Sequence, residues 1–537
     1  MTRVSIENDL AVVRFERFDI EAYRLFLRCK RLPESQIEYE YEAGHYTVTT
    51  PARFAGLLGA EAPVEPPSPL PFSDFLFDDQ TAIVRIALEA KRFAVWCDTG
   101  LGKTLIQLEF ARHVAHITGG RVLIITLGEI VQQTIDEALK FYGESLPIRR
   151  IETRVEMRRW CKEGEGHLAI TNYEKMNPDA EGQIVSEMRH LSGLILDESS
   201  RLKTGGGKQK WALIKSSKGI PYKLSCTATP APNDMMEFAS QASFLERMRD
   251  ENEIIWTFFR RDPKTQEWTV KRHARAAFFE FMAGWSIYMR DPRKYGWRLG
   301  VELPPAPEFF EYPIEMTTEQ HEALRTHNTD RSGQVGMFTS ENLGIVNRSK
   351  LSQIAKGFVY EGKVARRVES LKPGFVVDLI RREVAAGLQV LVWTVFDEET
   401  AILAQLLNRT EVMFDALGGS TKKPDRVLIL EDFRKGRSQV LISKAGLLGY
   451  GMNFQMCGSM IFSGWNDSYE QMYQAVRRAY RFGQERRVRV HVPYVPELEG
   501  AVLENVKRKQ AQFDEAVSEM EHSYISAMKS LRLTEAA

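Results

Sequence analysis

The chain reads as an α/β protein: two parallel-sheet domains in tandem, a helical insertion between them, and a small α+β unit at the N-terminus. Three observations predict this. The short apolar runs "FAVWC", "VLIIT", "LAIT", "LILD" and "YKLSC" recur between helix-like stretches in the first half. Continuous apolar runs of that length suit strands buried on both faces of a parallel sheet. A second series, "QVLVWTV", "QVLIS", "SMIFS" and "VRVHV", begins after Lys372. The length of 537 residues also exceeds what one hydrophobic core usually holds.

Residues 1–60 form the N-terminal unit. In "IEYEYE", Ile37, Tyr39 and Tyr41 alternate with Glu38, Glu40 and Glu42, which predicts a half-buried strand. Gly44 then permits a turn into "HYTVTT", giving a hairpin. The prolines of 61–72 mark a stiff linker. The first α/β domain is expected over 73–245. Within it Ile106, Phe110 and Val114 recur at helical spacing until Gly119 and Gly120 end the helix. An insertion rich in helical and basic stretches follows over 246–371, then the second α/β domain over 372–495. Residues 496–537 read as one long helix.

Composition narrows the functional classes. Lys+Arg and Asp+Glu both number 72, so a nucleic-acid site has to be a local patch and not a global field. The five cysteines form no C-x-x-C pair, which argues against a disulfide framework or a zinc ribbon. The start lacks an apolar signal core, and no apolar run reaches membrane-span length. The expectation is a soluble protein of a reducing compartment, without a membrane partner.

The most informative stretch is "CDTGLGKTL". A strand runs into a Gly-rich loop and a helix opens near Lys103, the setting in which backbone N–H groups hold phosphate oxygens. Thr99, Gly100, Leu101 and Gly102 would form the loop. Lys103 would reach the β and γ phosphates, and Thr104 would ligate Mg²⁺. A carboxylate pair belongs with such a loop, and "LILDESS" supplies it at a strand end. Asp197 is expected to hold Mg²⁺ and Glu198 to polarise the attacking water.

"DTGLGKT" followed by "DESSRLK" resembles the superfamily-two helicases, and most closely their Swi/Snf-type branch, whose loop does not require a first Gly where Cys97 stands. The spacing of the fifth motif, in "LISKAGLLGYGMNFQ", is closer to that of phage-encoded relatives, and the resemblance implies the cytoplasm of a bacterial cell or a phage-infected host. The resemblance covers about 73–495 and implies two RecA-like lobes, ATP and Mg²⁺ as cofactors, and DNA as partner. It implies further roles in order along the chain. Gln80 would read adenine, although it also fits a polar residue opening a helix. "TLGEIVQQTIDEALKF" and "ITNYEKM" would touch nucleic acid, and Thr227 and Thr229 would link hydrolysis to domain movement. Gly449, Gly451 and Asn453 match the fifth motif. "QAVRRAYRFGQ" matches the sixth through Gln474, Arg478, Arg481 and Gln484, with Arg478 and Arg481 as arginine fingers on the γ-phosphate. Departures from the family pattern fall at Ser200, Arg477 and Tyr480.

The resemblance thus implies an ATP-driven helicase or translocase on duplex or branched DNA, acting in replication, recombination or repair. A motor subunit of a restriction or defence complex is the alternative, with an RNA helicase third. The stretch 257–297 carries nine Lys/Arg against four Asp/Glu. There Arg260, Arg261, Lys271 and Arg272 are candidates for backbone phosphate contacts, while Phe278, Met282, Trp285 and Met289 read as core at helical spacing. The C-terminal helix is expected to brace the second lobe, with a DNA clamp through Lys507, Arg508 and Lys509 as the sharper reading.

Overall fold

The alternation of apolar runs resolves into two sheets, one in each of two compact units: Met1–Gly300 with Phe513–Ala537, and Val301–Gln512. The structure is a computed structural model. It describes the whole chain except residues 1–3, 8, 16–19, 33, 41–43, 59–69, 179–183, 185, 203–206, 232–234, 262, 264–267, 299–303, 335–339, 363, 420, 449–452, 465–467, 482–483 and 536–537. Most of the proline linker and Gly449 with Gly451 therefore lie outside the described residues. No helix among the described residues is long and apolar enough to cross a membrane.

The first unit opens with an antiparallel sheet of β1 (Val4–Glu7), β2 (Leu10–Phe15), β3 (Gln36–Glu40) and β4 (His45–Pro51), in the order β1-β2-β4-β3. The helix Ile20–Arg31 covers it over Ala11, Val13, Phe15, Ala22, Cys29 and Val48. The expected hairpin is present, with Glu40 opposite His45. The expected half-burial of β3 is not: all five of its residues are exposed. β3 is an edge strand, and Tyr39 lies beside its cross-strand neighbour Tyr46, rings 4.9 Å apart. A 3₁₀ segment, Ala52–Leu58, then packs Phe54 against Phe281 at 6.4 Å.

Each of the first five apolar runs forms a strand. β5 (Arg92–Cys97), β6 (Val122–Thr126), β7 (Ile148–Arg150), β8 (Leu168–Asn172), β9 (Gly193–Leu196) and β10 (Tyr222–Cys226) join one parallel sheet. The helix Lys103–Thr118 buries Ile106, Phe110 and Val114 and ends at Gly119, whose φ of 61° is left-handed. A two-stranded hairpin follows, β11 (Phe259–Arg261) with β12 (Trp268–Val270). β13 (Ser286–Met289) then returns to pair in parallel with β5, giving the order β13-β5-β10-β9-β6-β8-β7.

This strand corrects the boundary expected at 245. Phe278, Met282, Trp285 and Met289 are all fully buried, as expected, but the helix stops at Ala283 and Met289 is a strand residue. The supposed insertion therefore contributes an edge strand to the first sheet, and it does the same for the second. β14 (Glu308–Pro313) lies ahead of the expected start at 372 and pairs in parallel with the last strand of the chain. After the hairpin of β15 (Phe358–Glu361) and β16 (Val364–Arg367), the second sheet gains β17 (Val390–Thr394), β18 (Phe414–Leu417), β19 (Val440–Lys444), β20 (Ser459–Phe462) and β21 (Arg489–Tyr494). Its order is β14-β21-β20-β17-β19-β18.

The last helix spans Pro496–Glu535. In the second unit Glu499 is buried and accepts from Lys356 at 2.7 Å and Lys372 at 2.6 Å. Burial lowers the Lys372 ammonium to about 8, although Glu499 works the other way. From Phe513 onward the helix belongs to the first unit, so it does more than brace the second lobe. There Arg275 pairs with Glu519, Arg290 with Asp514 and Lys294 with Glu521, and Tyr524 meets Tyr295 at 5.7 Å. Lys507 is engaged with Glu311 at 2.9 Å, and Arg508 bonds Asn505 and Gln512 along its own helix.

Candidate nucleotide site

Sheet order assembles the site. β5, β10 and β9 are neighbours, so the loop after Cys97, Thr227 after β10, and Asp197 with Glu198 after β9 emerge side by side at the carboxyl end of one sheet. That is where ligands bind in open parallel sheets.

The loop is shaped for phosphate. Gly100 and Gly102 have φ of 88° and 71°, a region side chains rarely adopt. A Cβ on Gly102 would also stand 2.2 Å from the Gln80 amide nitrogen. No side chain caps the helix that starts at Lys103, leaving its first N–H groups for a ligand. Thr99 Oγ1 is buried without a hydrogen-bond partner among the described residues. Lys103 Nζ donates to the carbonyls of Cys97 (2.8 Å) and Asp98 (3.1 Å), within the loop it would leave to meet a phosphate. Leu101 is buried in the loop and Thr104 is half-buried at the helix start.

Asp197 is held from two sides. Gln107 donates to its Oδ1 at 2.7 Å and Thr126 to its Oδ2 at 2.8 Å, while Tyr173 donates to its backbone carbonyl at 2.8 Å. Glu198 adopts a φ of 50°, a strained conformation for a non-glycine residue and one that accumulates at functional sites. Thr227 Oγ1 lies 3.4 Å from Glu198 Oε2 and accepts from the Thr229 N–H. Among the described residues no group of three His, Cys, Asp or Glu could cage a metal. Mg²⁺ would instead arrive with its phosphates and take Thr104 and Asp197 as protein ligands, the usual arrangement for that ion.

Gln80 does two jobs in the structure. Its Oε1 accepts from the Phe77 N–H at 3.1 Å, closing the start of the helix Asp78–Ala90, and its Nε2 donates to Leu101 O at 3.3 Å. The same side chain thus caps a helix and is tied to the loop. Behind it, Glu109 accepts from Ser73, Arg112 and Tyr142 and contacts His113, anchoring the stretch that leads to Gln80. Burial would raise its carboxyl, but these bonds hold it well below the usual range.

In the second unit Arg478 is buried. It donates to Leu448 O at 3.3 Å and lies over the Trp393 ring at 5.8 Å. Arg481 and Gln474 are half-buried, and Gln474 Nε2 has no hydrogen-bond partner among the described residues. Gln484 is a staple, donating to the carbonyls of Gln455 and Cys457. Of the nucleic-acid candidates, Arg260, Arg261 and Arg272 are exposed. Lys271 instead donates to Trp256 O (2.6 Å) and Thr257 O (3.1 Å), closing a helix end.

Sequence reasoning missed Gln107, Thr126 and Glu109. Gln107 stands three residues after Thr104, one helical turn along the same face, and that spacing was the available signal.

Two family models match. Residues 76–232 match "Type III restriction enzyme, res subunit", and residues 372–483 match "Helicase conserved C-terminal domain". The probable ATP-dependent DNA helicase CHR12 of Arabidopsis thaliana is 33% identical over 450 residues, 77% of this chain and 39% of that protein. The chain is similar to superfamily-two helicases of the Swi/Snf type. A second relative is putative protein p41 of Acyrthosiphon pisum secondary endosymbiont phage 1, 23% identical over 458 residues, 80% of this chain and 95% of the phage protein. The chain thus spans nearly all of the phage protein but well under half of the plant helicase. A Sulfolobus solfataricus SWI2/SNF2 ATPase core in complex with dsDNA shares 20% identity over 87% of this chain and 97% of its own, with a TM-score of 0.39.

Proposed function

We propose that this helicase-family protein hydrolyses Mg²⁺-bound ATP to move along duplex or branched DNA, without sequence preference. The observation that carries the reading is that the Gly-Lys-Thr loop after β5 and Asp197 with Glu198 after β9 emerge at the same end of one sheet, on the two strands that flank β10. Lys103 would exchange its loop carbonyls for phosphate oxygens and stabilise their charge. Asp197, its geometry fixed by Gln107 and Thr126, would receive the magnesium that accompanies the phosphates. Glu198 would take the proton of the attacking water, with Thr227 beside it to sense the change. Arg481 and Arg478 would meet the charge that develops on the transferred phosphate.

The decisive test compares ATPase rates with single-stranded, duplex, forked and four-way DNA and with RNA. Stimulation by DNA, strongest with duplex or branched forms and falling steeply with salt, is expected. Equal stimulation by RNA would overturn the DNA assignment. The match to a restriction-enzyme subunit favours a second reading, in which the chain is the motor of a larger complex. Co-purification of a stoichiometric nuclease or methyltransferase partner would establish it.

A further inference from the structure

The segment between the helix Glu251–Phe258 and β12 carries a feature the ATP site does not use. Asp250 caps this helix, accepting from the Glu253 N–H at 3.1 Å, and Glu251, Ile254 and Phe258 form its buried face. Trp256 falls on the opposite face and is 72% exposed, more than any other described tryptophan. Lys271 holds the Trp256 carbonyl, so the backbone beneath the indole is fixed. Trp268 of β12 stands edge-on to it, with ring centroids 6.3 Å apart and planes at 89°. Arg261 is directly opposite Trp268 in the hairpin register, and Arg260 and Arg272 are exposed nearby in the chain.

The sequence that follows the indole is basic. From Trp256 to His273 the sequence holds five Lys/Arg against two Asp/Glu. The acids of the helix itself are engaged: Glu251 with Lys210 and Ser240, Asp250 in its cap, and Glu253 with the Arg249 N–H. A partner for this surface must offer a flat π face together with negative charge, and an unpaired nucleotide offers both. A duplex offers phosphates but keeps its bases stacked, so it matches the arginines and leaves the indole unused.

We propose that Trp256, buttressed by Trp268 and flanked by Arg260 and Arg272, stacks on an unpaired base of a DNA strand at a fork. This rests on the DNA-motor reading and adds to it the part of the substrate that is read. The test uses full-length protein and a forked duplex carrying 2-aminopurine at successive positions of one unpaired arm, with a blunt duplex of the same paired sequence. Wild-type protein should quench the fluorophore at one or two positions. Trp256→Ala should abolish that quenching and weaken fork binding roughly five- to tenfold or more relative to blunt-duplex binding. Trp256→Tyr should restore much of both, and Trp211→Ala, at another exposed tryptophan, should change neither.

An unchanged fork-to-blunt ratio in Trp256→Ala would overturn the proposal. So would an equal loss on both substrates, which would make the residue a general duplex contact. Loss of a co-purifying protein with fork binding intact would identify a protein interface and also sink it. Failure of every DNA to stimulate the wild-type ATPase is a separate result, and it would refute the motor reading itself.

Discussion

Gln107 holds one oxygen of Asp197 at 2.7 Å, from a helix whose first residue is the phosphate-loop lysine. The carboxylate expected to meet magnesium is therefore oriented by the same helix that would receive the phosphates. Gln107→Leu should lower ATP turnover about tenfold and raise the magnesium concentration needed for half-maximal rate, as loss of a partner that orients a metal ligand generally does. Thr126→Val, which frees the other oxygen, should act in the same direction. A magnesium titration of the ATPase checks both.

Lys103→Ala and Glu198→Gln should each reduce turnover by roughly a hundredfold or more, for different reasons. The first removes charge from the phosphates and should weaken nucleotide binding. The second retains binding, because only water activation is lost. Equilibrium binding of a fluorescent ATP analogue separates the two.

The two motif arginines should also part company. Arg481→Ala should keep its fold and lose turnover by roughly a thousandfold. Arg478 is buried and bonded to the Leu448 carbonyl, so Arg478→Ala should in addition destabilise the second unit by about 2 kcal/mol. Thermal unfolding beside single-turnover hydrolysis distinguishes the effects.

Glu109 gives a pH dependence with a definite sign. Its folded carboxyl lies well below the ordinary 4.5, so its contribution to stability is complete above that value. The contribution is lost as pH falls through the lower folded value. Glu109→Gln should therefore be less stable than wild type at neutral pH, and the difference should shrink toward about pH 3. Unfolding midpoints measured across that range test it.

The strands that line the site were legible because burial on both faces leaves an unbroken apolar run, and the loop and acid pair because their spacing is chemical. β13 was hidden for a physical reason. Phe278, Met282, Trp285 and Met289 keep a helical interval across the helix end, so periodicity alone could not show that the chain turns at Gly284 and becomes a strand. Lys271 looked like one more phosphate contact, because sequence shows its charge but not the two carbonyls it serves. The alternation in β3 likewise showed which residues share a face, but not that the sheet ends there and leaves that face open.

β13 also sets an order of events during synthesis. It is the last-made strand of its sheet, yet its neighbour is β5, which feeds the phosphate loop. While the ribosome reads from Cys226 to Ser286, the flank of β5 that β13 will cover is an open sheet edge, the kind of surface that recruits other chains. Even then Tyr288 and Tyr295 wait for Phe513 and Tyr524, which are made only after the whole second unit. The first unit is thus begun before the second and closed after it, and a nascent chain stalled before Phe513 would present that unit unfinished to the chaperones around the exit tunnel.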